Sequence, residues 1–148
     1  MADFVFTTLT HSPERLNVIS AKLGVSAAAK FTMADIGKVV KLGPVSNYVP
    51  VADGDDIDGF VDSIEDATSG GFSFGGVAHP DPACRFEAKV GGATALTVGA
   101  QVVAGVQGAL GTKSLPVVKA GVGAVYKYRV IRLFSAGAVG TTVLIERC

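Results

Sequence analysis

The sequence of 148 residues contains no tryptophan and only two cysteines, Cys84 and Cys148. Two cysteines so far apart provide neither a disulfide framework nor a CxxC metal or redox motif. We therefore interpret Cys84 as a small buried hydrophobic residue. Charged residues make up 18% of the chain and hydrophobic residues 49%. This composition excludes the disordered class, whose members are highly charged and poor in apolar residues.

Long apolar runs are also lacking. The longest weakly polar segment, residues 93–111 (ATALTVGAQVVAGVQGALG), is interrupted by glutamine and glycine, so we expect two strands there rather than a membrane span. The opening residues MADFVF have no basic start and no cleavable apolar run, so no signal peptide is expected. The sequence predicts a soluble protein made in the cytoplasm, with no membrane partner.

Charge is balanced overall but unevenly distributed. Residues 1–83 carry five Lys/Arg against eleven Asp/Glu, and residues 84–148 carry eight against two. Either the two halves pack together and cancel, or an acidic surface of one copy meets a basic surface of another. Lys127, Arg129 and Arg132 form the only dense basic segment. A protein that follows a phosphate backbone usually has a larger basic stripe, so we expect no nucleic-acid partner.

Glycine is abundant, with 19 residues, and it separates many short segments with strand character. In CRFEAKV, Cys84, Phe86, Ala88 and Val90 alternate with polar residues, which is typical of a half-buried strand. We predict a mainly β fold, a compact β-barrel or sandwich of short antiparallel strands, as a single domain over residues 1–148 with no internal repeat. Residues 11–24 (HSPERLNVISAKLG) predict one short N-terminal helix, and residues 1–10 an extended arm or edge strand.

The acidic stretch, residues 52–65 (ADGDDIDGFVDSIE), is the strongest candidate for chemistry. A calcium loop that starts at Asp53 would need a ligand at its fifth position and glycine at its sixth, where Ile57 and Asp58 stand. Strand alternation instead places Asp56, Asp58 and Asp62 on a solvent face that protects an edge. Phe60 shares that face, so another element covers its ring or it lies at a subunit contact.

No other motif predicts catalysis or a cofactor. GGFSFGG at residues 70–76 matches neither a dinucleotide nor a phosphate loop, and tight turns explain its glycines better. His11 and His79 are single histidines in turn-like contexts, not a metal pair. We therefore predict no enzyme, and no catalytic, cofactor-binding or metal-binding residues. A small hydrolase that uses the aspartates is the least favoured alternative.

The order of several segments resembles small head proteins of tailed bacteriophages. The segments are PERLNVISAKLG, ADIGKVVKL, DGDDIDGFVDSIE, GGFSFGGV, VGAQVVAG and YRVIRLFSAGAVGTTVLIERC. The proteins that the chain resembles are decoration, or cement, proteins that bind the outside of the icosahedral capsid. The resemblance spans nearly the whole chain, but it is a pattern of strands and turns, and no functional residue carries over from it.

The resemblance implies a non-catalytic virion protein that bridges neighbouring major capsid subunits. It also implies self-association as a dimer or trimer, a location on the outer capsid surface, and assembly in the host cytoplasm. From the residues themselves, the apolar arm supplies three candidate interface residues, Phe4, Phe6 and Leu9, and the acidic stretch supplies Phe60. The alternative function is a carbohydrate- or receptor-binding head-fibre or adhesin module. The lack of tryptophan and the three tyrosines disfavour it.

Overall fold

The computed structural model describes residues 16–24, 31–65, 73–80, 85–122 and 126–148. Ten strands occupy about half of these residues, and a 3₁₀ turn at Met33–Asp35 precedes β2. The strands of the first half are β1 Leu16–Leu23, β2 Val39–Leu42, β3 Asn47–Pro50, β4 Gly59–Glu65 and β5 Ser73–Pro80. Those of the second half are β6 Arg85–Val90, β7 Gln101–Ala104, β8 Val117–Ala120, β9 Tyr128–Leu133 and β10 Thr142–Arg147. The predicted mainly β class is confirmed.

The strands close into two five-stranded barrels. The order around the first is β1-β3-β2-β4-β5, and around the second it is β10-β6-β8-β7-β9. Neighbouring strands are antiparallel, except that β1 pairs with β3 and β6 with β8 in parallel. A closed barrel leaves no unpaired sheet edge, so neither sheet offers a template for further strand addition. Of the two predicted architectures, the barrel is the correct one.

The two barrels share one topology, in which each strand of the first corresponds to the strand five places later. The β-bulges coincide as well, because Asp62 in β4 and Ile131 in β9 are the extra residues opposite β5 and β10. Turns correspond too: Gly37 N donates to Val61 O at 2.7 Å, and Gly99 N donates to Val130 O at 2.8 Å. The prediction of no internal repeat is therefore wrong.

The predicted N-terminal helix is also wrong where the structure describes it. Residues 16–23 form β1, which pairs antiparallel with all eight residues of β5. Asn17, Val18 and Ile19 are poor helix formers, and β-branched residues favour a pleated strand. Tertiary pairing therefore decides the conformation of this segment. The start of the predicted helix and the predicted arm lie outside the described residues.

Buried apolar side chains form two clusters. The smaller one belongs to the first barrel and contains Leu23, Phe31, Val40, Tyr48, Val61 and Val77. The larger one combines residues of the second barrel, such as Phe86 and Tyr128, with Val39, Ile57 and Phe60 of the first half. The first barrel therefore covers part of the core of the second. One domain over residues 1–148 stays a prediction, and the shared cluster is consistent with it.

Among the residues described, no helix has the length and apolar character needed to cross a membrane.

Candidate functional site

Phe60 lies in the core where the two barrels meet. Its ring is fully buried and stacks on Phe86, with 4.3 Å between ring centroids. Tyr128 meets it edge to face at 5.5 Å. Both partners belong to the second barrel, so another element of the same chain covers the ring. The prediction that Phe60 contacts a neighbouring subunit is corrected accordingly, whereas Phe4, Phe6 and Leu9 lie outside the described residues.

Phe60 is buried because both faces of β4 are covered at this point. Val61, the next residue, is also fully buried, but in the cluster of the first barrel. Alternation therefore directs Phe60 to the inter-barrel core and Val61 to the barrel interior. The predicted solvent face of this strand, which carries Phe60 and Asp62, is therefore wrong: Asp62 is half-buried, and the exposed residues are Ser63 and Glu65 of the other face.

The aspartates of the acidic stretch lie mostly in the loop before β4 rather than on the strand. Gly54, whose φ is +92°, forms a turn there. Gly54 N donates to Ala104 O at 2.8 Å, and Ala104 N donates to Asp55 O at 2.8 Å. These two backbone hydrogen bonds attach the loop of the first barrel to the end of β7 in the second.

Lysines of the second half bind this loop. Lys119 Nζ lies 2.8 Å from Asp53 Oδ2. Lys127 Nζ contacts Asp58 Oδ1 and lies 3.5 Å from Asp56 Oδ2. The acidic half and the basic half therefore meet within one chain, which is the first of the two charge distributions that the sequence left open. The predicted solvent face of free aspartates is wrong at Asp56 and Asp58.

The Lys127–Asp58 pair belongs to a group of polar side chains that we call the junction cluster. It consists of Tyr48, Asp58, His79, Lys127 and Arg147, and it lines a cavity of about 180 Å³. The Tyr48 hydroxyl and His79 Nε2 share a hydrogen bond of 2.9 Å. Leu42 N donates to Asp58 Oδ2 at 2.7 Å. β3, β5, β10 and the segment just before β9 thus meet at one point.

Burial and neighbouring charges shift the pKa values of the junction cluster. Burial, and then the Arg147 charge, lower the pKa of His79, although the nearby Asp58 opposes this. Burial alone raises the pKa of Asp58, but hydrogen bonds from Lys127 and Leu42 outweigh it, so this pKa lies below its ordinary value. Burial, followed by the Asp58 charge, raises the pKa of Tyr48. Near neutral pH the cluster therefore contains a salt-bridged carboxylate beside a neutral imidazole.

The junction cluster resembles a general acid–base site in its residue types but differs in its surroundings. Its cavity is smaller than the roughly 300–1,000 Å³ of ordinary ligand pockets. Asp58 is held by Lys127 and Leu42, and the Tyr48 hydroxyl is held by His79. In the part of the chain that the structure describes, no three His, Cys, Asp or Glu residues are grouped to hold a metal ion. The arrangement joins two barrels through a network of satisfied polar groups.

Sequence reasoning missed a second polar contact between the barrels. Asp35 and Lys38 are buried, with Lys38 Nζ 2.6 Å from Asp35 Oδ1. Lys38 Nζ also donates to Ala109 O at 2.6 Å, and Gly111 N donates to Asp35 Oδ1 at 2.8 Å. The spacing of Thr32 and Asp35 fits a capping box, and the structure forms one. That spacing is a signal from which the turn could be predicted, but it does not reveal the partner in the loop after β7.

No protein-family model, no curated protein and no solved structure matches the chain.

Proposed function

We propose that this chain is a virion structural protein that decorates the outside of an icosahedral phage capsid and stabilises contacts between major capsid subunits. The resemblance of the sequence to phage decoration proteins suggests this function. The observation that carries it is the junction, where ion pairs and a shared aromatic core hold two barrels together. A clamp transmits load only if its own parts do not separate. The carboxylates of the acidic stretch serve that purpose rather than catalysis.

Exposed apolar side chains supply a candidate capsid-facing surface. Val98, Phe134 and Val139 are 62%, 46% and 51% exposed. Leu96 N donates to Gly137 O at 2.9 Å, which brings the loop of Val98 to the β9–β10 turn that carries the other two. We name these three residues the turn patch. Large apolar side chains grouped on a surface favour a protein partner, and the proposed partner is the major capsid protein.

The modest area of one chain makes additional contacts necessary. Stable protein interfaces bury about 1,200–2,000 Å² in total. A dimer or trimer that engages several capsid subunits gains affinity through effective concentration. The proposal therefore includes self-association on the capsid, on its outer surface, with assembly in the host cytoplasm. The apolar arm with Phe4, Phe6 and Leu9 is a further proposed contact.

Purified capsids that lack this protein provide the test. Added protein should co-sediment with them and raise the temperature at which they release DNA. Phe134→Asp should weaken co-sedimentation at least tenfold, because it places a charge in the apolar contact. The control is Val45→Asp, which alters a side chain 64% exposed on the first barrel. Unchanged heat resistance of saturated capsids would contradict the clamp role, and equal binding by the two variants would contradict the turn patch.

A further inference from the structure

A second cavity, larger than the one at the junction cluster, lies between the first barrel and the loop that connects β7 to β8. Its volume is about 420 Å³, which falls within the range of small-molecule sites. We call residues 105–116 the roof loop, because residues Val106 to Leu110 cover the cavity. Phe31, Lys38, Val39, Pro50 and Val51 of the first half line the opposite side.

The roof loop has no counterpart in the first barrel. The equivalent connection between β2 and β3 comprises only residues 43–46. The two barrels otherwise repeat each other strand by strand, so this loop is the main departure from the shared topology in the described connections. Instead of turning back at once, the roof loop extends to the first barrel and encloses space there. The repeat alone does not require such a cavity.

Hydrogen bonds hold the roof loop in place on both sides. Its middle is bound to the first barrel through Ala109 O and Gly111 N, which contact the buried Lys38 and Asp35. Its base is closed by Gln107, whose Nε2 donates to Val117 O at 2.6 Å and whose Oε1 accepts from Val117 N at 3.0 Å. The cavity is therefore formed before any ligand arrives, which lowers the entropic cost of binding.

The wall defines the chemistry of a ligand. Phe31, Val39 and Leu110 contribute apolar surface, and Lys38 is the buried polar residue among the lining residues. A lysine ammonium has three N–H donors, and Asp35 Oδ1 and Ala109 O take two of them. The third is available to an acceptor. Because Asp35 balances the charge of Lys38, the site does not compensate for the desolvation of an anion.

We propose that this cavity binds a compact, neutral, mainly apolar molecule with one hydrogen-bond acceptor that Lys38 contacts. The site is independent of the proposed capsid role, since it faces the inter-barrel space rather than the turn patch. A carbonyl compound fits this description better than a carboxylate or a hydrocarbon.

Fluorescence titration with Prodan, a neutral naphthalene ketone, tests the site directly. Its emission should shift to the blue and saturate at one molecule per chain. Acetylnaphthalene should displace it at least tenfold more tightly than ethylnaphthalene, which has the same shape without the acceptor, and naphthoate should compete weakly. Equal competition by the ketone and the hydrocarbon would overturn the role of Lys38. Tighter competition by naphthoate would overturn the neutral class.

Two variants locate the binding. Val106→Asp places a charge on the roof loop at a side chain that is 73% exposed, so the fold should tolerate it. It should weaken Prodan binding at least tenfold, whereas Val45→Asp, in the equivalent connection of the first barrel, should leave binding unchanged. Leu110→Trp should fill the cavity and have the same effect as Val106→Asp. Equal affinity of Val106→Asp and Val45→Asp, or the lack of a saturable shift in the unmodified protein, would overturn the proposal.

Discussion

Truncation of Phe60 gives the sharpest test of how the two barrels are joined. The ring is fully buried and contacts Phe86 and Tyr128, both from the second barrel. Phe→Ala substitutions in a core typically cost about 3–5 kcal/mol, and an aromatic pair adds about 0.5–1.5 kcal/mol beyond area. We expect Phe60→Ala to lower the free energy of unfolding by about 4 kcal/mol, a large share of the roughly 5–15 kcal/mol typical of a domain.

Urea denaturation followed by circular dichroism measures this loss. Phe60→Leu should cost less, about 1–2 kcal/mol, because it keeps most of the apolar volume. The matched control is Phe134→Ala, at a ring that is 46% exposed and lies under Arg132 with 5.1 Å to its centroid. Its effect should stay within about 1 kcal/mol.

The same variants distinguish a core residue from an interface residue. If Phe60 served a subunit contact, Phe60→Ala would shift the oligomeric state in sedimentation and leave the unfolding free energy nearly unchanged. A loss below about 1 kcal/mol, or one equal to that of Phe134→Ala, would refute the packing described for the junction.

Three further predictions concern the junction and the arm. Lys127→Met should lower the free energy of unfolding in urea by about 1 kcal/mol at low salt, a modest loss because Lys127 is 42% exposed. About 1 M salt should reduce the difference between the variant and the unmodified protein. A loss that does not depend on salt would contradict an ionic origin. Because burial lowers the pKa of His79, the unfolded chain takes up this proton first, so stability should fall as pH drops below about 6.5. The fall should be smaller in His79→Gln, and equal falls would contradict the assignment. Deleting residues 2–9 should weaken capsid co-sedimentation more than it lowers the melting temperature, and equal losses would place that segment in the core.

Alternation and glycine spacing predicted most strands of the second half, although only β7 forms where two strands were expected within residues 93–111. Phe86, Ala88 and Val90 are buried as the pattern CRFEAKV requires. Tyr128 and Val130 are buried beside the exposed Arg129 in the same way. These strands have one covered face and one solvent face, so the sequence period of two reports burial directly.

The sequence was misleading where both faces of a strand are covered or where pairing is distant. Phe60 and Val61 are both buried, so no period of two distinguishes their sides. Residues 16–23 show helical spacing of Leu16, Ile19 and Leu23, but β5, fifty or more residues later, pairs with them as a strand. The two barrels agree in strand order and in the position of their bulges, but they have few identical side chains at equivalent positions. The repeat is therefore not visible in the sequence.

The junction was only partly predictable for a related reason. The surplus of acid in one half and base in the other indicated that the halves could meet, and Asp53, Asp56 and Asp58 do bind lysines of the second half. Sequence distance, however, does not identify partners, and Asp58 and Lys127 are separated by 69 positions. The contacts of Asp35 and Lys38 with Gly111 and Ala109 are hidden for the same reason, because the roof loop lies more than seventy positions later.

The shared core also has a consequence for synthesis on the ribosome. Strands β1 to β5 are complete once residue 80 has left the exit tunnel, so the first barrel has all its pairing partners at that moment. Phe60 does not, because Phe86 and Tyr128 have yet to emerge. At about 5–20 residues per second, the nascent first barrel presents an uncovered aromatic face for several seconds. The strands of the second barrel then bury this face as they emerge. A chain that terminates early within the second half would therefore keep the face exposed and be prone to aggregate.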